Sequence, residues 1–233
     1  MRRLVPAGLA ALGAYALLVR PRHLRWGASD SECAVPLAGD ELISQPDLMA
    51  TRAISIRAGG DQVWPWVAQL GQGRGGFYSY DWLENLIGCQ IHNADRILPE
   101  CQDIRVGDEV RLHPEVTLAV AAVKPGRSLV LRGGVPMGET PPPYDFTWAF
   151  VLAEQADGTT RLIVRERYGY TRWWSPLIVE PVEAISFVMS QKMLRGIRDA
   201  AEKPQGELAA MPMAHGAREA TIRACPGHSA PGG

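Results

Sequence analysis

Cys89, His92, Asp95 and Cys101 stand at C-x2-H-x2-D-x5-C spacing. All four residue types can ligate zinc. The spacing matches no strong zinc pattern and His113 is the only further ligand nearby, so no metal is expected. The same region offers a second chemistry. His92 and Asp95, with Tyr78, Tyr80 and Asp81, are the residue types an enolate-forming reaction needs: a base to take a proton, and hydroxyls to hold the oxygen that becomes negative. Capping and turn roles are simpler for Asp81 and Asp95, and no residue is assigned as catalytic. Gly71-Gln-Gly-Arg-Gly-Gly76 fits G-x-G-x-x-G. In a dinucleotide site such glycines follow a strand and open a helix, so that helix N–H groups meet the pyrophosphate. Here they follow a helical pattern. The expected role is a flexible loop, able to act as a gate, with Arg74 exposed or meeting a ligand carboxylate. No cofactor is expected.

Phe77, Tyr78, Tyr80 and Trp82 come next. Aromatic rings with polar tips suit the mouth of a pocket for an amphipathic molecule, and equally suit plain packing. Further along, Leu162, Val164 and Tyr168 alternate with Arg161, Arg165 and Arg167, and Glu166 shares the apolar parity. Alternation sends the arginines outward. The opposite parity would aim Arg165 and Arg167 at an anionic head group inside.

These side chains need elements to hold them. Thr51 to Ala58 reads as a strand, with Ile54, Ile56 and Ala58 on one face. Gly59-Gly60-Asp61 turns into a helix N-capped by Asp61, carrying Val63, Trp66, Val67 and Leu70, and stopped by Gly71. A second short helix is expected over about 81–87, with Asp81 and Glu84 at capping-box spacing and Leu83, Leu86 and Ile87 on its apolar face. Strands follow at 109–112, 117–123, 128–132, 145–154 and 160–168, joined by short turns. Phe146, Trp148, Phe150 and Leu152 share one face. Pro136 to Pro143 is a loop between strands. A long helix closes the pattern from Pro181, at its first position, to about Glu202, with Val182, Ile185, Met189, Met193, Gly196 and Ala200 as its apolar stripe. The fold class is α+β: a curved antiparallel sheet around a long C-terminal helix, with two short helices after the first strand. A helix crossing a curved sheet cannot touch it along its whole length, so a cavity is expected between them.

The 233 residues are 46% hydrophobic and 21% charged, with a formal net charge of −1. That balance excludes the clustered positive charge nucleic-acid binding needs. Four cysteines are too few for a disulfide scaffold, and unlinked thiols are the simpler reading, although Cys89 and Cys101 would be able to pair in an exported domain. Met1-Arg2-Arg3, the apolar run from Leu4 to Val19 and the following Arg20, Arg22 and Arg25 read as an uncleaved membrane anchor or, alternatively, an export signal. The run falls a little short of the about 20 residues that span a bilayer. Arginines on both sides leave orientation open. The organisation expected is an anchor over 1–25, one domain over 26–202 beginning with an extended lead-in, and a disordered tail over 203–233. Oligomeric state is not legible.

Ile54-Ser-Ile-Arg-Ala-Gly-Gly-Asp-Gln-Val-Trp64 resembles the first strand and helix start of the SRPBCC or START-like superfamily, the helix-grip fold of polyketide cyclase/dehydrase and lipid-transport proteins. Phe187-Val-Met-Ser-Gln-Lys-Met-Leu-Arg-Gly-Ile-Arg198 is similar to the closing helix of a membrane-linked bacterial branch, and Gly73-Arg-Gly-Gly-Phe-Tyr-Ser-Tyr-Asp-Trp-Leu-Glu-Asn85 resembles the same branch. The resemblance covers roughly 26–202. It implies a partner that is a hydrophobic small molecule (lipid, isoprenoid or polyketide-like) in an internal cavity, close to a membrane. Trp66, Leu70, Tyr78, Tyr80, Trp82, Leu86, Phe146, Trp148, Phe150, Met189 and Met193 are the expected lining. The alternative is a cyclase or dehydratase that uses His92 and the tyrosines in the same cavity. A protein-binding groove is a third class, for which the sequence offers no exposed apolar stripe.

Overall fold

A computed structural model describes residues 13, 15–80, 92–113, 116–134 and 142–203. Alternating apolar residues build six strands: β1 (Leu48–Ile56), β2 (Glu109–His113), β3 (Val116–Lys124), β4 (Ser128–Gly133), β5 (Tyr144–Glu154) and β6 (Thr160–Tyr170). They form one antiparallel sheet in the order β1-β6-β5-β4-β3-β2. β5 and β6 pair along their full length, from Tyr144 opposite Tyr170 to Glu154 opposite Thr160. Their turn is set by Gly158 at φ +80° and by Asp157 Oδ1, which accepts from Thr159 N at 3.0 Å and Thr159 Oγ1 at 2.7 Å. The register shifts between Arg111 and His113 in β2 and between Val120 and Ala122 in β3. Such irregularities bend a strand and raise its twist, which curls this end of the sheet.

Among the described residues four α-helices accompany the sheet: α1 (Arg20–Leu24), α2 (Asp30–Ala34), α3 (Gly60–Ala68) and α4 (Ser175–Ala201). Gly59, not Asp61, caps α3, and the Gly59 N–H donates to Gln62 Oε1 at 3.2 Å. The helix ends at Ala68, short of Gly71, and carries Pro65 inside it. The closing helix begins at Ser175, six residues before Pro181, with Pro176 in its first turn and Pro181 inside. A proline in the first turn removes no intrahelical bond, so Pro176 serves the role expected of Pro181. The short helix expected over 81–87 lies outside the described residues, as do most of the 136–143 loop and the tail beyond Lys203.

The sheet has two different faces. On the inner one, α4 is anchored at both ends: Ser175, Val179 and Glu183 are buried near its start, and Met193, Leu194, Ile197 and Ala201 near its end. Gly196 permits close contact at the latter, because a Cβ there would lie 2.4 Å from the Tyr78 carbonyl oxygen. On the outer face, the lead-in is not extended. α2 is closed by a capping box between Ser29 and Glu32, a 3₁₀ turn covers Asp40–Ile43, and both lie across β6. Arg161 Nε donates to Glu32 Oε1 at 2.6 Å. Arg165 donates to Asp40 Oδ2 at 2.5 Å, Val35 O at 3.0 Å and Glu32 O at 2.7 Å. Arg167 donates to Ile43 O at 2.9 Å. The arginines point away from α4, as alternation requires, yet Arg165 and Arg167 are buried under this strap rather than solvated.

Candidate functional site

Along its middle, from Val182 to Met193, α4 stands off the curved sheet, and the gap is a cavity of about 300 Å³. Tyr144, Phe146 and Trp148 of β5 form one wall, with Tyr168 of β6 beside them. The rings touch in series: Phe146 to Tyr168 at 4.8 Å and Trp148 to Phe150 at 4.8 Å between centroids. Phe77, Leu112 and Leu118 close the far side, and Val182, Ile185, Met189 and Met193 of α4 form the roof.

One patch of this apolar wall is polar. Glu166, Ser186 and Ser190 line it together. Strand alternation puts Glu166 on the inner face with Leu162, Val164 and Tyr168, opposite Ala50 of β1. Arg52 shares that face two residues further along β1 and donates Nη1 to Glu166 Oε1 at 2.9 Å. Tyr168 Oη donates to Glu166 Oε2 at 3.1 Å. Ser186 Oγ sits 3.0 Å from both carboxylate oxygens and Ser190 Oγ 3.1 Å from Oε1. Beneath the patch, Arg52 Nη2 also donates to Glu183 Oε1, and Glu183 Oε2 lies 3.2 Å from His23 Nε2 of α1. Those last two atoms have no other hydrogen-bond partner. Their contact is a hydrogen bond only when one of them carries a proton. Burial pushes the Glu183 carboxyl up to about 7, with the Glu166 charge adding to it and Arg52 opposing it. Burial, then the Arg52 charge, pushes the His23 imidazole down. One proton shared by the pair satisfies both. With Glu183 protonated, the buried group of Arg52, Glu166, Glu183 and His23 carries no net charge; with Glu183 ionised and the imidazole's own Nε2–H making the bond, it carries one negative charge.

Of the residues expected to line the pocket, Phe146, Trp148, Met189 and Met193 stand in the cavity wall. Trp66, Leu70 and Phe150 are buried in the core, away from the wall. Tyr78 is buried as well. It holds a left-handed backbone at φ 55°, accepts from Gln69 Nε2 at 2.8 Å, and stacks edge-on against Trp66 at 5.6 Å. Burial raises its phenol. Tyr80 lies outside the wall with the Lys192 ammonium 6.0 Å from its ring. Trp82 and Leu86 fall outside the described residues.

His92 and Asp95 are exposed and absent from the wall, which removes the base expected for an enolate-forming reaction. Gly71 and Gly76 close their loop with two backbone bonds of 3.0 and 3.1 Å. Arg74 is buried and donates to Ala68 O and Cys101 O at 2.9 Å each, so it is not an exposed loop arginine. Cys101 is disulfide-bonded and Cys33 is free, which corrects the expectation of unlinked thiols. Cys89 lies outside the described residues. Among the described residues no group of three His, Cys, Asp or Glu side chains is placed to hold a metal ion.

Past the buried Val179, the middle of α4 is inverted. Glu183, Ser186 and Ser190 face inward at three- and four-residue steps, while Leu177, Ile185 and Val188 are exposed. The expected apolar stripe took Val182, Ile185 and Met189 as the buried face. Val182 and Ile185 instead form the cavity rim, with Ile185 60% exposed. The polar steps at 183, 186 and 190 were the signal for the cavity foot.

No family model and no curated protein matches the sequence. Similar solved structures include the Zhui aromatase/cyclase from Streptomyces sp. R1128, at 16% identity and a TM-score of 0.42, covering 66% of this chain and 93% of that one. CalU16 from Micromonospora echinospora aligns at 17% identity and a TM-score of 0.34, over 70% and 88% of the two chains. A protein from Nitrosospira multiformis aligns at 13% and 0.42, over 69% and 99%. The neighbours thus include an aromatase/cyclase. At these levels nothing about the cavity transfers from them. The helix-grip arrangement stands on the strand order and the crossing helix described above.

Proposed function

We propose that this domain is a START-like binding protein that holds an amphipathic, largely hydrophobic small molecule between the sheet and α4. The observation that carries this reading is the cavity itself: about 300 Å³, walled by aromatic, Met and aliphatic side chains, with one polar foot at Glu166, Ser186 and Ser190. A few polar groups converging in an apolar hollow is the usual form of a small-molecule site. The two methionines suit a ligand of variable outline, because an unbranched thioether adapts its shape. The cyclase alternative is the weaker one. Its base is exposed, and Glu166, the carboxylate in the wall, has its lone pairs occupied by Arg52, Tyr168, Ser186 and Ser190.

The same reading places the domain beside a membrane. The Leu4 to Val19 run leads into α1, which Arg20 fixes to Glu180 of α4 with hydrogen bonds of 2.9 and 2.6 Å. Leu17, 78% exposed, precedes that joint, and Leu177, 73% exposed, lies one helical turn before Glu180. Among the described residues no helix is long and apolar enough to cross a membrane; most of the run lies outside them. The Cys101 disulfide favours an oxidising compartment, and hence the outer side of the membrane.

The test is titration with the neutral apolar fluorophore N-phenyl-1-naphthylamine. Saturable one-to-one binding is expected, and Met189→Trp, which fills the cavity, is expected to abolish it. Absence of saturable binding, or binding that Met189→Trp leaves intact, rejects the proposal.

A further inference from the structure

We infer that the ligand's polar end is a neutral hydroxyl, an alcohol or phenol that donates its hydrogen to the cavity foot. The inference rests on the binding reading above and adds the ligand's chemical class. It follows from a count of hydrogens. Each of Ser186, Ser190 and Tyr168 has one hydroxyl hydrogen, and each directs it to the Glu166 carboxylate, at 3.0, 3.1 and 3.1 Å. Arg52 directs Nη1 to the same carboxylate at 2.9 Å. The donors at the foot are therefore spent. A hydroxyl oxygen that has given its hydrogen still has lone pairs, and all three of these oxygens belong to side chains in the cavity wall. The foot therefore offers the cavity acceptors.

A ligand carboxylate or phosphate needs several donors; among the described residues the wall has one unpartnered, Trp148 Nε1–H, and the rest would come by stripping a buried Glu166 of its partners, an unfavourable exchange. It would also face the Glu166 charge directly. A ligand ammonium needs free acceptor lone pairs on a carboxylate, and both Glu166 oxygens already accept from Arg52, Tyr168, Ser186 and Ser190, so its charge would be desolvated without a full partner. An ether or ketone brings acceptors to acceptors at the foot, and the unpartnered donor in the wall, Trp148 Nε1–H, is equally open to a hydroxyl oxygen. A hydroxyl satisfies the site with one bond and no displaced partner.

Three probes that differ only at the polar end separate these cases: 9-phenanthrol, 9-methoxyphenanthrene and phenanthrene-9-carboxylate, each titrated calorimetrically against the full chain near neutral pH. The phenol is expected to bind about tenfold tighter than the methyl ether, the worth of one net hydrogen bond in a dry site, and the carboxylate more weakly than either. In Ser186→Ala/Ser190→Ala the phenol's advantage is expected to shrink to about twofold, with the ether's affinity held. Should the double variant lose its fold by circular dichroism, Ser190→Ala alone is expected to lose about half of that advantage on a logarithmic scale. An ether that matches the phenol, a carboxylate that binds best, or a phenol preference that survives the alanines overturns the inference while leaving the cavity as a binding site. Failure of all three probes to bind overturns the binding reading itself.

Discussion

Arg52 of β1 and Glu166 of β6 meet across the inner face of the sheet, at 2.9 Å from Nη1 to Oε1, both almost wholly buried. Arg52 also donates to Glu183, so one guanidinium serves two acids from two elements. A buried ion pair gains little over a well-packed apolar pair, but removing one partner strands the other. Arg52→Met is therefore expected to cost about 3–5 kcal/mol of stability, because two carboxylates lose their cation together. Urea unfolding followed by circular dichroism measures it. A loss of under about 1 kcal/mol would show that the acids neutralise themselves by protonation and that Arg52 is dispensable.

The Glu183 carboxyl should leave a mark on the pH dependence. Its folded pKa, about 7, lies above its ordinary value of 4.5. A group raised on folding binds its proton more tightly in the native state. The stability it contributes is complete below about pH 4.5 and is lost as pH rises through about 7. Other carboxylates act in the opposite sense. Arg161 holds Glu32 down at about 2, so the contribution of Glu32 is present above 4.5 and fades toward pH 2. The difference between proteins isolates the effect. Melting temperature of Glu183→Gln relative to the wild type is expected to rise steadily between pH 5 and pH 8, on the order of several degrees. A flat difference across that window rules out a titrating Glu183.

Much of this architecture is written in local pattern. The alternation of Phe146, Trp148 and Phe150, and the turn at Gly158, locate β5 and β6 to within two residues, because a half-buried strand must alternate. The cavity's apolar wall follows from the same parity. Its foot was harder to see. Glu166 stood visibly on the apolar parity of β6, but a lone acid in a strand does not say whether a cation answers it. Arg52 answers from 114 residues away, a pairing set by topology and not by any local rule. The face of α4 was misjudged for a related reason. Periodicity assigns the apolar side of a helix to the core, and here the middle of α4 turns Glu183, Ser186 and Ser190 inward because Arg52 and Glu166 are there to receive them. The lead-in over 26–50 lacks periodicity because its backbone carbonyls, at Glu32, Val35 and Ile43, do the work of holding the arginines. Sequence carries no pattern for backbone acceptors.

Gly196 sets how closely α4 approaches the loop that carries Tyr78. A Cβ there would meet the Tyr78 carbonyl oxygen at 2.4 Å and its Cβ at 2.7 Å. The neighbour is backbone, and it is not free to shift: Asn93 Oδ1 accepts from the N–H groups of Phe77 and Tyr78 at 3.0 and 2.5 Å, which fixes the left-handed turn. Alanine favours the helix by about 1 kcal/mol over glycine. The clash is expected to outweigh that gain, with Gly196→Ala destabilised by about 1–3 kcal/mol, the usual cost of overpacking. Thermal unfolding checks the sign. A stabilised Gly196→Ala would mean that α4 has room to move outward at its C-terminal end.

The exposed face of α4 makes its own prediction. Trp173 is 87% exposed, and Leu177, Ile185 and Val188 follow it at about helical steps on the side away from the sheet. Ile185 and Val182 also belong to the cavity rim, so the apolar face runs continuously into the cavity mouth. On the membrane-proximal reading, this face meets the bilayer and a ligand passes from lipid to cavity without crossing water. Aromatic and aliphatic side chains presented together on a helix face are the form such contact takes. Leu177→Asp touches neither the cavity wall nor the buried charges. It is expected to slow transfer of N-phenyl-1-naphthylamine from phosphatidylcholine vesicles to the protein by about fivefold or more, since a charge in the interfacial region is costly. Its affinity for the same probe in solution should stay within about twofold of wild type, because a surface substitution distant from the site alters little. Stopped-flow fluorescence gives the rate and equilibrium titration gives the affinity. Equal transfer rates for the two proteins would separate the cavity from the membrane and leave the exposed face to another partner.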